Sequence, residues 1–195
     1  PVDPTVGPPV TVVAAYRDQD AGIVHLAADS GSSGASEIVT PIAKIRQLKV
    51  GLDDHAVLGI AGRMALIPLA ARHLKADAAP DARSASDCDD WAQAIAEAIT
   101  DIALEHGCGD DGWMAHNGGL LAYGPWLWEI THHLALPIHS YIAIGTGAAC
   151  AMGAMWASCK TLPPADVARA GVAAAIDHMD GIVGPITGMA TVALG

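Results

Sequence analysis

The first part of the chain alternates between short apolar runs and polar corners. An apolar run over residues 11–16 is followed by a polar corner at 17–22 and by a second apolar run at 23–28. Two short runs rich in Val, Ile and Ala around a corner that contains Gly predict a β-hairpin. A Gly/Ser loop follows, and a third strand is predicted over 41–45, where Lys44 stands amid apolar neighbours.

The rest of the chain predicts strands and helices in blocks. Residues 90–106 place apolar side chains at helical spacing, and Gly107 follows them as a cap. Asn117-Gly118 is a hairpin signal, so residues 113–145 are predicted to be a meander of strands. The remaining predicted elements are strands at 56–61 and 186–194 and helices at 63–75, 147–159 and 164–179. This order predicts an α+β protein with four layers, an α-β-β-α sandwich.

Composition and charge narrow the classes of function. The chain has 195 residues, of which 52% are hydrophobic and 16% charged, as expected of one folded domain. No apolar run is long enough to cross a bilayer, so no membrane contact is predicted and a cytoplasmic location is expected. A net charge of −11 without a basic stripe argues against a nucleic-acid partner.

The N-terminal segment differs from everything after it. Residues 1–10 contain four prolines, which cannot enter a sheet or a helix cleanly. We therefore predict an extended arm or propeptide over residues 1–10, followed by a single domain over residues 11–195.

Neither the cysteines nor the histidines form a metal motif. The four cysteines lack metal or redox spacing and are predicted to be free thiols. His132 and His133 are expected to be adjacent strand residues on opposite faces, which cannot chelate one metal together. Even with His139 nearby, no metal site is predicted.

Two further motifs were weighed. Gly145-Thr146-Gly147 precedes a predicted helix but lacks the P-loop Lys and the dinucleotide-binding spacing, so no cofactor is expected. Trp126 and Trp128 alternate with Leu127 and so share one face of a strand. That face is either core or a subunit contact, and the contact is favoured.

Short motifs occur along residues 11–193 in a fixed order. They are Thr11 at the head of the first strand, Ala28-Asp29-Ser30, Ala43-Lys44-Ile45, Gly59-Ile60-Ala61-Gly62, and Ala143-Ile144-Gly145-Thr146-Gly147-Ala148. In this order they resemble the proteasome β-subunit family, in particular its bacterial HslV-type peptidases. The resemblance implies the Ntn-hydrolase fold, whose order of elements matches the predicted α-β-β-α sandwich.

The resemblance implies a threonine nucleophile. Thr11 would attack the substrate, with its own freed α-amine as the base, because the pKa of such an amine is about 7.7–8.0. Lys44 would activate Thr11 electrostatically, and Asp29 would orient Lys44. The backbone N–H of Gly62, at the head of a helix, would donate to the oxyanion.

Supporting residues and a pocket follow from the same resemblance. Thr146 stands where the family usually has Ser, and Asp180 matches its second supporting Asp. The implied S1 pocket is apolar, which predicts cleavage after hydrophobic residues; its residues are Ser32, Ile42, Ile60 and Met64. Such subunits form homo-oligomeric rings that cleave peptides or proteins delivered by an ATPase unfoldase.

Two departures from the family pattern leave a second hypothesis open. Self-processing members usually have Gly before the Thr, whereas this chain has Val10. The Ser expected three residues after Asp180 is replaced by Val183. The alternative is therefore a catalytically silent subunit of the same fold that keeps its N-terminal arm, in a cellular or phage assembly.

Overall fold

A computed structural model describes residues 10–31, 43–51, 54–62, 65–108 and 118–193. Within these ranges the chain forms nine strands and four helices. The strands are β1 (Val13–Asp18), β2 (Ile23–Ala28), β3 (Ile45–Lys49), β4 (His55–Ala61), β5 (Gly118–Tyr123), β6 (Trp126–Thr131), β7 (Leu134–Pro137), β8 (Tyr141–Ile144) and β9 (Thr187–Ala190). The helices are α1 (Leu66–His73), α2 (Ala85–Glu105), α3 (Ala148–Ser158) and α4 (Pro164–His178).

The strands form two antiparallel sheets. One has the order β8-β1-β2-β9, and the other has the order β3-β4-β5-β6-β7. The predicted hairpin is β1–β2, in which Val13 pairs with Ala28 and Asp18 with Ile23.

Three apolar clusters hold four layers together. One lies between the sheets and includes Val13 and Leu26. A second packs the five-stranded sheet against α1 and α2, and a third packs the four-stranded sheet against α3 and α4. Alternation along β1 explains this, because Val13 and Ala15 face the inter-sheet cluster whereas Ala14 faces the helices. The predicted α-β-β-α sandwich is confirmed.

The third strand was predicted too early. It runs over Ile45–Lys49, so Lys44 precedes it, and residues 41 and 42 lie outside the described part of the chain. Only Ile45 and Leu48 of this strand are buried, one on each face, while Arg46, Gln47 and Lys49 are exposed. Charged residues on an edge strand prevent it from pairing with a strand of another chain. Because these residues interrupt the apolar run, the pattern of apolar positions did not predict this strand correctly.

The hairpin predicted at Asn117-Gly118 is also wrong, because Gly118 begins β5 itself. A Cβ on Gly119 would lie 3.0 Å from the Ile130 side chain, so the neighbouring strand explains glycine inside this one. The real turns of the meander are at Gly124-Pro125 and at His132-His133. His132 has a φ of 49°, so the two histidines form a turn rather than part of a strand.

Trp126 and Trp128 do share a face, but that face is core. Trp128 is buried beneath α2, where its indole donates to Asp89 at 2.7 Å. Trp126 is half-buried and donates to the carbonyl of Ala82 at 2.7 Å. The prediction that this face forms a subunit contact is therefore wrong, because both side chains pack on the core and both indole N–H groups are hydrogen-bonded within the chain.

Three smaller findings complete the fold. Cys88, Cys108, Cys150 and Cys159 are free thiols, as predicted. Within the described ranges, no helix is long and apolar enough to cross a membrane. The same ranges bring no three His, Cys, Asp or Glu side chains together as a metal site.

Candidate functional site

The first two strands place Thr11 and Asp29 side by side. Thr11 precedes β1 and Asp29 follows β2, so the two residues meet at the same end of the hairpin. The amide of Asp29 donates to the carbonyl of Val12 at 3.3 Å, which continues the pairing of the strands beyond their ends. Both side chains are buried, and that of Asp29 is fully so.

The carboxylate of Asp29 is the centre of the site. Its Oδ1 accepts hydrogen bonds from the Thr11 hydroxyl at 3.1 Å and from the Val12 amide at 2.9 Å. Its Oδ2 accepts one from the Gly31 amide at 3.1 Å. Lys44 Nζ lies 2.7 Å from Oδ1 and 2.8 Å from Oδ2. One carboxylate therefore joins the threonine hydroxyl to the lysine.

Lys44 is only 1% exposed and forms a buried ion pair with Asp29. Burial lowers the pKa of the Lys44 ammonium, and the hydrogen bond and charge of Asp29 oppose that shift. The Ile60 amide donates to the Lys44 carbonyl at 2.9 Å, which fixes the segment beside β4. Gly59 allows the two sheets to approach here, because a Cβ would lie 2.8 Å from Val13 Cγ1.

The loop between β8 and α3 holds the backbone of Thr11. The Thr11 amide donates to Thr146 Oγ1 at 3.0 Å, and Thr146 Oγ1 donates to the Thr11 carbonyl at 3.2 Å. The Gly147 amide donates to the same carbonyl at 3.1 Å. Gly145 has a φ of 90°, and a Cβ there would lie 2.5 Å from the Thr11 oxygen. The Gly-Thr-Gly motif is thus a clamp on Thr11, and Thr146 is exposed at its open side.

The remaining predicted catalytic residues, Gly62 and Asp180, are not among the hydrogen-bond partners of this carboxylate in the described part of the chain. Gly62 follows β4 with a φ of 121°, a conformation that glycine adopts readily. The helix after it begins only at Leu66, so the Gly62 N–H does not belong to the first helical turn, contrary to the prediction. Asp180 is exposed, and its side chain forms no hydrogen bond or ion pair with a residue of the described ranges.

Val183 packs against the residues that follow Asp29. Its carbonyl accepts a hydrogen bond from the Ser30 amide at 3.2 Å. Its side chain fills the space beside Gly31, where a Cβ would lie 2.6 Å from Val183 Cγ2. Sequence reasoning missed this contact, as well as the need for glycine at position 145. The only signal was the glycine itself, which marks a close approach of the backbone.

Only one residue of the predicted S1 pocket can be placed. Ile60 is buried in the cluster between the five-stranded sheet and its helices. Ser32, Ile42 and Met64 lie outside the described residues.

Val10 is the first described residue and the only residue of the predicted arm that is described, because residues 1–9 fall outside the described ranges. It is half-buried against the cluster beneath α3 and α4. Gly181 makes room for it, because a Cβ on Gly181 would lie 3.3 Å from three carbon atoms of the Val10 side chain. The residue before Thr11 is therefore packed.

The chain was compared with known proteins. No protein-family model matches it, and no curated protein matches it. Among solved structures, BPH from Thiobacillus denitrificans in complex with epoxomicin is similar, with a TM-score of 0.70 and 23% identity over 95% of this chain and 100% of that one.

Two other solved structures are similar as well. HslV from Trypanosoma brucei has a TM-score of 0.64 and 17% identity over 93% of this chain and 99% of that one. Anbu, described as an ancestral beta-subunit, from Yersinia bercovieri has a TM-score of 0.66 and 15% identity over 92% and 81%. The chain therefore has the four-layer fold of the HslV and proteasome β-type proteins, as its motifs predicted.

Proposed function

We propose that this chain is a threonine-type, N-terminal-nucleophile peptidase subunit that becomes active when the bond between Val10 and Thr11 is cut. The observation that carries the proposal is the Asp29 carboxylate, which bonds both the Thr11 hydroxyl at 3.1 Å and Lys44 Nζ at 2.7 Å. A buried lysine costs free energy to desolvate, and an ordinary core would place an apolar side chain there. A lysine held beside a threonine hydroxyl supports a role in chemistry.

The first step would be self-cleavage. Thr11 Oγ attacks the carbonyl carbon of Val10, and the Thr11 nitrogen leaves that carbon, so the amide becomes an ester. Water then hydrolyses the ester, which releases residues up to Val10 as a carboxylate and leaves Thr11 with a free amine. The amine would inherit the position of the present amide, 3.0 Å from Thr146 Oγ1.

Peptide hydrolysis would use the same oxygen. The free amine of Thr11 takes the hydroxyl proton while Oγ attacks the substrate carbonyl, and the charge of Lys44 stabilises the oxygen as it becomes negative. The Gly62 N–H is the proposed oxyanion donor. The amine then protonates the leaving nitrogen, and water hydrolyses the acyl ester.

The wider setting is part of the same proposal. Copies of the chain would form a cytoplasmic homo-oligomeric ring around an inner chamber, with an ATPase unfoldase delivering protein substrates. Asp180 remains proposed as a supporting residue. The proposed S1 residues Ser32, Ile42, Ile60 and Met64 would favour hydrophobic side chains before the cleaved bond, so equal cleavage after acidic, basic and apolar residues would contradict this pocket.

A specific observation favours a second candidate, a silent subunit that keeps its arm. Val10 is packed over Gly181, and the Thr11 amide is bonded to Thr146. Val183 also stands where the resembled family has Ser. A chain held in this way would serve as a structural subunit of a cellular or phage assembly.

The intact mass of the purified chain distinguishes the two candidates. The mass of the chain would be measured before and after incubation at neutral pH. Two variants would be measured in parallel: Thr11→Ala, which lacks the nucleophile, and Thr11→Ser, which keeps a hydroxyl. Loss of the segment before Thr11 in the unmodified chain, but not in Thr11→Ala, would support the peptidase. The processed chain should then bind epoxomicin, the compound present in the structure of the Thiobacillus protein. A mass that never changes would support the silent subunit.

A further inference from the structure

Strand β9 ends the four-stranded sheet, and among the described residues one side of it has no neighbouring strand. It pairs with β2, and the sheet has the order β8-β1-β2-β9. The Thr191 amide, just after β9, donates to the Val24 carbonyl at 3.0 Å. Because the direction of the backbone groups alternates along an antiparallel strand, Gly188 and Ala190 point their N–H and C=O groups away from β2.

The bonds on the other side of β2 agree with this alternation. The Asp29 amide donates to the Val12 carbonyl, which belongs to the segment of β1. Odd-numbered residues of β2 therefore bond to β1, and even-numbered residues such as Val24 bond to β9. The residues paired with these even positions are Thr187, Met189 and, beyond the strand, Thr191. The backbone groups between them form what we call the open edge of β9.

The open edge of β9 lacks the charges that usually protect an edge strand. Residues 181–193 contain no charged side chain. Met189 is 38% exposed and Val192 is 69% exposed. By contrast, the edges of the other sheet carry charges on β3 and are closed by Gln93 on β7. An uncharged edge with unpaired backbone groups is a template for an added strand.

Cations lie on both sides of the open edge. Arg169 of α4 is exposed, and its Nη1 lies 2.7 Å from the position that a Cβ on Gly188 would take, so the guanidinium covers this glycine. Strand β3 of the second sheet lies next to β9, and its exposed side chains include Arg46 and Lys49. In the part of the chain that the structure describes, none of these three cations forms an ion pair.

We infer that the open edge of β9 binds an extended peptide segment of a partner protein, which adds to the sheet as a fifth strand. The main chain of the peptide would bond to the outward groups of Gly188 and Ala190. Its side chains would alternate between the two faces of the sheet. Those on the side of α4 meet Arg169 and are acidic, whereas those on the other side meet Met189 and are apolar.

A second copy of this chain fits the open edge less well. Because β3 lies next to β9, pairing β9 with the β9 of another copy would also bring the two β3 strands together. Arg46 and Lys49 would then approach the same cations of the other copy, and like charges oppose such a contact. A single acidic strand meets these cations without that repulsion.

A synthetic peptide of about eight residues in which glutamate and valine alternate is the probe, and the same peptide with lysine in place of glutamate is its control. Fluorescence anisotropy would measure the Kd of each labelled peptide for the full chain. The variant Arg169→Glu would be compared with Lys160→Glu, a control of equal charge change at an exposed position after α3. Circular dichroism would establish that both variants fold.

Hydrogen exchange measured by NMR locates the bound peptide. Binding at the open edge should slow exchange of the Gly188 and Ala190 amides at least about tenfold, because they gain hydrogen bonds. The Met189 and Thr191 amides are internal controls that should not change, since they already point toward β2.

We expect the glutamate peptide to bind the unmodified chain and Lys160→Glu equally, and to bind Arg169→Glu at least about fivefold more weakly. No binding of this peptide, equal binding of the lysine peptide, or binding without added protection of Gly188 and Ala190 would overturn the inference. Protection of these two amides that grows with protein concentration in the absence of peptide would show that a second copy occupies the edge, and would overturn it as well. None of these outcomes depends on cleavage before Thr11, so the proposed function is judged separately by mass.

Discussion

At the scale of single residues, the Asp29–Lys44 pair combines packing with chemistry. Both side chains are buried, and each supplies the other with an opposite charge. Removing one partner of a buried pair leaves an uncompensated charge, which is far more costly than removing both. The two residues should therefore behave as a unit in stability measurements.

We predict that Lys44→Met lowers the free energy of unfolding by about 3–5 kcal/mol, because Asp29 is left charged and unpaired. The double variant Lys44→Met/Asp29→Asn should lose clearly less than the sum of the two single variants. Urea unfolding measures all three, with Lys49→Met at an exposed position as the control. A loss no larger for Lys44→Met than for Lys49→Met would contradict the prediction.

A second residue-scale prediction concerns the clamp on Thr11. Gly145→Ala would force a Cβ to within 2.5 Å of the Thr11 oxygen at a φ of 90°, so we expect lower stability and loss of any self-cleavage. Gly153→Ala is the matched control, because nothing lies within 4 Å of its Cβ position and Ala favours a helix by about 1 kcal/mol. Thermal unfolding and intact mass report both effects. Equal behaviour of the two variants would show that Gly145 is not needed.

Alkaline stability provides a third prediction. Burial and the charges of Asp89, Asp87 and Asp81 raise the pKa of the Cys88 thiol to about 11 from 9.0. Between these values the unfolded chain has lost a proton that the folded chain keeps, so stability falls as pH rises. The loss begins above pH 9 and reaches about 3 kcal/mol above pH 11. Cys88→Ala should therefore reduce the dependence of the free energy of unfolding on pH. Urea unfolding between about pH 8.5 and 11 measures it, because this range spans the two pKa values. Cys150→Ala should leave the slope unchanged.

At the scale of elements, the edges of the five-stranded sheet are protected in different ways. Strand β3 carries exposed charges, whereas β7 is closed by one side chain of α2. Gln93 accepts from the Ala135 amide and donates to the His133 carbonyl, so it replaces a neighbouring strand. The edge of β7 is therefore not open to a strand of another molecule, although Leu134 and Leu136 of this four-residue strand are exposed.

We predict that Gln93→Leu lowers the free energy of unfolding by about 1–3 kcal/mol, because the Ala135 N–H and the His133 carbonyl lose their partner. Hydrogen exchange at the Ala135 amide should accelerate in the same variant. Glu97→Gln is the control, since it leaves the bonds of Gln93 to the Ala135 amide and to the His133 carbonyl intact. Unchanged protection of Ala135 in Gln93→Leu would refute this account of the edge.

At the scale of the whole molecule, the sequence predicted what depends on local pattern. Apolar periodicity and the order of the blocks yielded the layers, because each layer needs its own buried face. The errors fall where a distant strand decides the local structure. Glycine in β5 signals a close neighbour, Ile130, rather than a turn, and Trp128 is covered by α2. Edge strand β3 has too few buried residues to appear as an apolar run.

The candidate site divides in the same way. The hairpin brings Thr11 and Asp29 together, because Thr11 precedes β1 and Asp29 follows β2. Lys44 precedes β3 of the other sheet, so its place in the site was predicted from the family resemblance and not from strand order. The packing of Val10 on Gly181 and of Val183 on Gly31 joins segments more than 150 residues apart, and no local pattern indicates it.

The shared carboxylate also bears on how such a site would decay. Substituting Asp29 or Lys44 alone damages the interior of the sandwich, whereas the Thr11 hydroxyl gives only one hydrogen bond to that carboxylate. Under the proposed function, a descendant that lost peptidase activity would therefore be expected to change Thr11 before Asp29 or Lys44. In relatives of this chain, the residue at position 11 would then indicate loss of activity better than the residues at positions 29 and 44 would.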